Sequence, residues 1–176
     1  MGVDKAFLPY HNEPLIHRPI RICQSFTTDV RIIGEPTLYA CFGLPVIPDN
    51  GESLGPLSGI HTALLHSPTP FNFIVACDMP LMSPEFFSLM HSKLPGPDAV
   101  VMRFNDGNVE PLCGIYASGC LPVAEQNLAS GKLKLTDLLS RVVVEYITED
   151  ELLARGLSRR IFTNVNTPGD LEHLET

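Results

Sequence analysis

The chain is 176 residues long, enough for one domain with a sizeable core. Its 44% hydrophobic and 18% charged fractions exclude a disordered chain. Lys and Arg number 12 against 20 Asp and Glu, a net charge of -8, so a nucleic-acid surface is not expected, and a bound polyphosphate would need a cation and local donors to offset the repulsion.

In chain order, the apolar spacing predicts a helix over residues 14–26, kinked or started late by Pro19. Strands are expected at 30–33 and 45–47. A loop rich in Gly, Pro and acid, residues 48–57 (PDNGESLGPL), leads to a helix over 59–66 with Ile60, Ala63 and Leu64 on one face. Residues 73–77 (FIVAC) are apolar on both faces, as a strand covered on both sides should be. Ser83-Pro84 opens a helix with serine as N-cap and proline at its first position; Phe86, Phe87, Leu89, Met90 and Leu94 form its apolar face. Strands 99–104 and 109–116 flank Asn105-Asp106-Gly107-Asn108, a hairpin signal in which Asp-Gly supplies the positive φ angles of a tight turn. Helices at 120–128 and 135–139, a strand at 142–147, a helix at 149–154, a strand at 161–165 and a helix from Pro168 to about residue 174 complete the chain. Strand and helix in alternation predict an α/β fold over 1–176 as a single domain, with a mostly parallel sheet, helices on both faces, and a mixed character from the hairpin.

The five cysteines (Cys23, Cys41, Cys77, Cys113, Cys120) are odd in number and include no CxxC, so reduced thiols are expected rather than a disulfide framework or zinc site. No run approaches the roughly 20 apolar residues that span a bilayer, and no apolar stretch follows Asp4 and Lys5 as a signal peptide requires. A cytoplasmic protein without a membrane partner is the expectation. The six histidines show no metal-ligand spacing, and the chain holds neither G-x-S-x-G nor a Walker-type loop.

Four segments could carry chemistry. Asp78 directly follows the most apolar strand, where it either holds Mg²⁺ against phosphate oxygens or turns a loop. Lys5 follows Gly2 closely enough to reach phosphates as a point charge, or belongs to a polar chain start. Gly55-Pro56-Leu57-Ser58-Gly59 either offers backbone N–H groups to an anion or simply needs glycine for its turns. In Asn164-Val165-Asn166-Thr167-Pro168 the two asparagines share one face, to orient a ligand or to cap a strand end.

Taken in chain order, Met-Gly-Val-Asp-Lys-Ala-Phe-Leu, Asp49 with Gly-Pro-Leu-Ser-Gly-Ile, Cys-Asp78-Met-Pro, Glu110-Pro-Leu-Cys-Gly-Ile-Tyr and Asn164-Val-Asn-Thr-Pro resemble the molybdenum cofactor guanylyltransferases. The resemblance spans Gly2 to Leu171. It implies a GT-A-like Rossmann variant and transfer of GMP from GTP to molybdopterin with release of pyrophosphate. Lys5 would contact the GTP phosphates, Asp49 would belong to the nucleotide pocket, and Asp78 would bind Mg²⁺ beside the reacting phosphate. Gly55, Gly59, Asn164 and Asn166 would line the pterin side, with Asn166 also approaching the metal. Molybdoenzymes or their chaperones are the implied recipients. Two alternatives stay open: a cytidylyltransferase acting on the same pterin, and a non-catalytic nucleotide- or cofactor-binding protein.

The family pattern departs at two places. Met-Gly ends a longer glycine-rich motif in the family, so a first strand and phosphate loop are expected to be missing here, either because the true start lies ~10–20 residues upstream or because the chain is short and catalytically poor. An absent interior strand would leave unpaired backbone groups and a slot in the core, and an unstable chain. At Gly34 the family often places a polar residue that contacts the base or ribose; glycine offers only backbone.

Overall fold

The computed structural model describes residues 4–49, 54–172 and 174; Met1, Gly2 and Val3 of the N-terminal motif and residues 50–53 of the acidic loop lie outside them. Asp4 caps a 3₁₀ turn over Lys5–Phe7, its carboxylate accepting the Ala6 N–H at 3.0 Å. A small hairpin follows, β1 (Pro9–Tyr10) with β2 (Glu13–Pro14). Its loop residues His11 and Asn12 both have positive φ, 50° and 66°, which a two-residue hairpin turn demands. Helix α1 (His17–Gln24) is the late start that Pro19 predicts: the proline falls in the first turn, where its missing N–H breaks no intrahelical bond.

Next come β3 (Ile32–Ile33), α2 (Pro36–Tyr39), β4 (Val46–Ile47), α3 (Pro56–His66) and β5 (Phe71–Val75). Strands β3 and β4 pair in parallel as a separate two-stranded sheet. Then follow α4 (Pro84–His91), β6 (Ala99–Arg103), β7 (Val109–Ala117), α5 (Leu121–Ala129), α6 (Leu135–Leu139), β8 (Val144–Ile147), α7 (Glu149–Ala154) and α8 (Pro168–Glu172). The larger sheet has the order β5-β7-β6-β8. Strand β7 runs against both of its neighbours and β8 runs with β6, so β5, β6 and β8 share one direction in a mixed sheet.

Alternation along β6 sorts the core into two layers. Val100 and Met102 face Phe86, Leu89 and Met90 of α4 and Leu152 of α7. Ala99 and Val101 face Leu57, Ile60 and Leu64 of α3, Ala124 of α5 and Leu138 of α6. Helices thus cover both faces, as predicted. Gly114 lets β7 cross this centre: a Cβ there would lie 2.8 Å from Val101 Cγ1 and 3.0 Å from the Val100 carbonyl.

The FIVAC strand has apolar layers against both faces, Phe73 and Val75 packing on one and Ile74 on the other. One expectation is refined and one corrected: β5 is an edge strand, every residue of it is half-buried, and it pairs only with β7 among the described residues. A cavity of about 760 Å³ lies along that open edge, walled by Ile32, Ile33 and Ile47 of the small sheet, Pro19 and Cys23 of α1, and Ile60 of α3. The strand expected at 161–165 is instead a 3₁₀ turn over Arg159–Phe162 followed by irregular chain. Ile161 and Phe162 are both buried there, so the apolar run comes from a turn pressed into the core and not from strand pairing.

Candidate functional site

Strand β5 delivers the chain to the site. Its ladder with β7 extends one step past Val75, where the Ala76 N–H donates to the Leu112 carbonyl at 2.8 Å. The chain then turns through Cys77-Asp78, which places Asp78 at the carboxyl edge of the sheet. Neighbours fix this turn from two sides. The Val165 N–H donates to the Asp78 carbonyl at 2.9 Å, and Arg18 Nε donates to the Pro80 carbonyl at 3.2 Å.

Lys5 and Asn166 meet Asp78 here. The Lys5 ammonium donates to Asp78 Oδ2 and also to Asn166 Oδ1, the latter at 3.4 Å. Asn166 is oriented in turn by Asp170, whose Oδ2 accepts the backbone N–H groups of Asn166 and Thr167, each at 2.8 Å. Partial burial pulls the Lys5 pKa down, but the hydrogen bond and charge of Asp78, with Cys77 and Asp4, outweigh it and leave the pKa above the ordinary lysine value. Burial, then the Asp78 charge, push the Cys77 thiol up to about 11, so this thiol stays protonated beside the pair.

Asp78 is only 6% exposed, and its second oxygen, Oδ1, is buried with no hydrogen-bond partner. A buried, unsatisfied carboxylate oxygen is the donor that a hard divalent cation prefers, so the residues fit such an ion. Among the described residues no group of three or more His, Cys, Asp or Glu gathers at a metal position. A cation here would therefore have at most two such protein ligands and take the rest of its shell largely from substrate oxygens and water, as Mg²⁺ commonly does.

Glu110 escaped the sequence reading as a site residue, although its motif was noted. It lies on β7 beside Asp78, with Oε1 accepting the Leu112 N–H at 3.0 Å. Burial first, then the negative charge of Asp78, hold its carboxyl above the usual range against the lowering effect of that N–H. The antiparallel register could have revealed it, but register is not readable from one strand alone.

The remaining expected residues divide. Asp49 turns to α3: its Oδ1 accepts the Ser58 hydroxyl at 2.5 Å and the Thr62 hydroxyl at 3.2 Å, both side chains being buried. Gly55 is the N-cap of α3 at φ 78°, a conformation that glycine adopts without strain. Gly59 borders the large cavity, and a Cβ on it would meet open space. Asn164 is exposed and makes no side-chain hydrogen bond among the described residues. At Gly34 the space is already taken: a Cβ would lie 2.6 Å from the Tyr39 ring, whose hydroxyl donates to Asp4 Oδ2 at 2.7 Å. Among the described residues no helix is long and apolar enough to cross a membrane.

Comparison with known proteins places the family and the fold. A family profile, the MobA-like NTP transferase domain, matches residues 1–145. A probable molybdenum cofactor guanylyltransferase of Pelotomaculum thermopropionicum is 36% identical over 97% of this chain and 83% of its own length. The crystal structure of molybdopterin-guanine dinucleotide biosynthesis protein A from Archaeoglobus fulgidus superposes with a TM-score of 0.84 at 25% identity, covering 99% of this chain and 90% of that one. The 2-C-methyl-D-erythritol 4-phosphate cytidylyltransferase of Thermus thermophilus shares the fold, with a TM-score of 0.72 at 14% identity over 99% and 93% of the two chains.

Proposed function

From the premise that this chain belongs to the MobA-like NTP transferase family, we propose that Lys5, Asp78 and Asn166 are the centre at which it works as a molybdenum cofactor guanylyltransferase. The observation that carries the assignment of these residues is their convergence: positions 5, 78 and 166 meet through one ammonium group.

The reaction joins GMP from GTP to molybdopterin. A phosphate oxygen of molybdopterin attacks the α-phosphorus of GTP, and pyrophosphate leaves in line. Such a transfer needs alignment and positive charge more than covalent help from the protein. Lys5 supplies a fixed charge, since its raised pKa keeps it protonated throughout the neutral range. Asp78 and Asn166 hold that ammonium in place from two sides. Asp78, with its unpartnered Oδ1, would hold Mg²⁺, which would supply charge neutralisation on the phosphate oxygens. The start of α3, with Gly55 and Gly59, lines the pterin side together with Asn164, and Asp49 serves the nucleotide pocket by fixing α3.

Pyrophosphate release measured with molybdopterin and Mg²⁺, with GTP and CTP compared, tests the reading. Turnover with GTP and not CTP is expected. Turnover with CTP in preference would replace guanylyl by cytidylyl transfer, and no turnover with either would remove the activity.

A further inference from the structure

We propose that Glu110 is a second carboxylate ligand for the divalent cation held at Asp78. This inference rests on the reading of Asp78 as a cation ligand and adds a residue to that site.

The strand register carries it. Val75 lies opposite Cys113, and the Ala76 N–H bonds the Leu112 carbonyl. That bond is the last rung of the ladder among the described residues, because the chain then turns at Cys77-Asp78; Asp78 and Glu110 each lie two residues beyond it, at the same end of the β5–β7 pair.

A break in β7 occurs at the same place. Its pairing with β6 jumps from Gly114, opposite Val101, to Glu110, opposite Met102, so Pro111, Leu112 and Cys113 are extra residues on that side. Such bulges bend a strand and re-aim a side chain, often beside an active site. The Leu112 N–H inside this bulge holds Glu110 Oε1. Oε2 makes no hydrogen bond within the described residues.

Charge gives the reason for an ion. Like charges brought together at one end of a strand pair repel. Lys5 answers Asp78 Oδ2 alone, and Asp78 Oδ1 is buried without a partner. Two neighbouring carboxylates with one ammonium, bonded to Asp78 alone, lack a positive charge, and the two oxygens Asp78 Oδ1 and Glu110 Oε2 are the hard donors that a divalent cation takes. Mg²⁺ is commonly bound by one or two carboxylates plus substrate phosphates.

Mn²⁺ is the probe, followed by the electron paramagnetic resonance of the free ion in titrations of the parent chain, Glu110→Gln and Asp78→Asn. Glutamine keeps the shape and the acceptor for the Leu112 N–H. Its dissociation constant for Mn²⁺ is expected to rise about tenfold, in the range that altering a metal site commonly produces. Thermal melts separate this from a structural role. Without the ion, Glu110→Gln should be at least as stable as the parent; with Mn²⁺ it should gain less. Equal Mn²⁺ affinity in the parent and Glu110→Gln, with Asp78→Asn impaired, overturns the role of Glu110 and leaves Asp78 standing. A parent chain that binds no Mn²⁺ overturns both. A Glu110→Gln variant destabilised equally with and without the ion overturns the proposal in favour of a packing role.

Discussion

Lys5 engages one oxygen of Asp78 and leaves the other bare inside the protein. The two residues are 73 positions apart, and each is set by a different part of the fold: Lys5 by the N-terminal turn, Asp78 by the end of β5. The relationship separates charge from shape at Asp78. Asp78→Asn keeps the volume and one acceptor for Lys5 but loses the anionic donor. Turnover is expected to fall at least about 100-fold, in line with the loss of a key electrostatic group, while the circular dichroism spectrum stays that of the parent. Pyrophosphate release by Asp78→Asn at the parent's rate would sink the assignment.

Asp49 provides a test of structural against ligand-binding roles. Its Oδ1 is the acceptor for two buried hydroxyls of α3. Removing it leaves Ser58 and Thr62 without that partner, so Asp49→Ala should cost about 1–3 kcal/mol in urea unfolding. Asp49→Asn retains an acceptor and should recover most of that loss. If GTP affinity follows the same order as stability, Asp49 acts on the nucleotide through α3; if Asp49→Asn is stable yet binds GTP poorly, its charge acts directly.

Helix α7 depends on a capping box. The Thr148 hydroxyl accepts the Glu151 N–H, and Glu151 returns a carboxylate to the Thr148 N–H. Thr148→Ala should destabilise the protein by about 1 kcal/mol, because it also loosens Leu152, which is buried against β6. Chemical denaturation reads the effect, and an unchanged midpoint would show that α7 is held by packing alone.

The raised proton affinity of Glu110 has a definite sign. An acid whose pKa is higher in the folded than in the unfolded state destabilises the fold when ionised. The penalty is absent below its ordinary value and grows as pH rises through the shifted one. In metal-free buffer, the stability of Glu110→Gln minus that of the parent should therefore be smallest in acid and increase toward neutral pH. A difference that is flat across this range would show that burial and the Asp78 charge have no net effect on the Glu110 carboxyl.

Sequence legibility followed the range of the forces involved. Ser83-Pro84 marked the start of α4 because capping is local, and Ser83 does accept the Phe86 N–H. Asn105 to Asn108 marked the β6–β7 hairpin for the same reason, with Gly107 at φ 85°. The FIVAC segment read as a strand, but its composition could not show that one edge of β5 stays open. Residues 161–165 misled because two adjacent buried apolar residues fit a turn as well as a strand. At the site, family resemblance singled out Lys5, Asp78 and Asn166, and the structure brings those three together. That Asp49 would spend an oxygen on α3, that Tyr39 would fill the space beside Gly34, and that Glu110 would come close enough to feel the Asp78 charge all depend on the approach of distant segments.

The separation of the β3–β4 pair from the four-stranded sheet also sets where the molecule opens first. Strand β6 is paired on both sides and buried from Ala99 to Met102, so its amides should exchange with solvent most slowly, near the rate of global unfolding. The β3–β4 pair has two residues per strand, and its hydrophobic cluster with Ala6 and Ile16 is small. Lys5 precedes Ala6 in that weaker unit, and Asp78 hangs from the stronger one. A local opening that never reaches the central sheet is therefore enough to pull the pair apart, and activity should fade at a lower urea concentration than the one that unfolds β6.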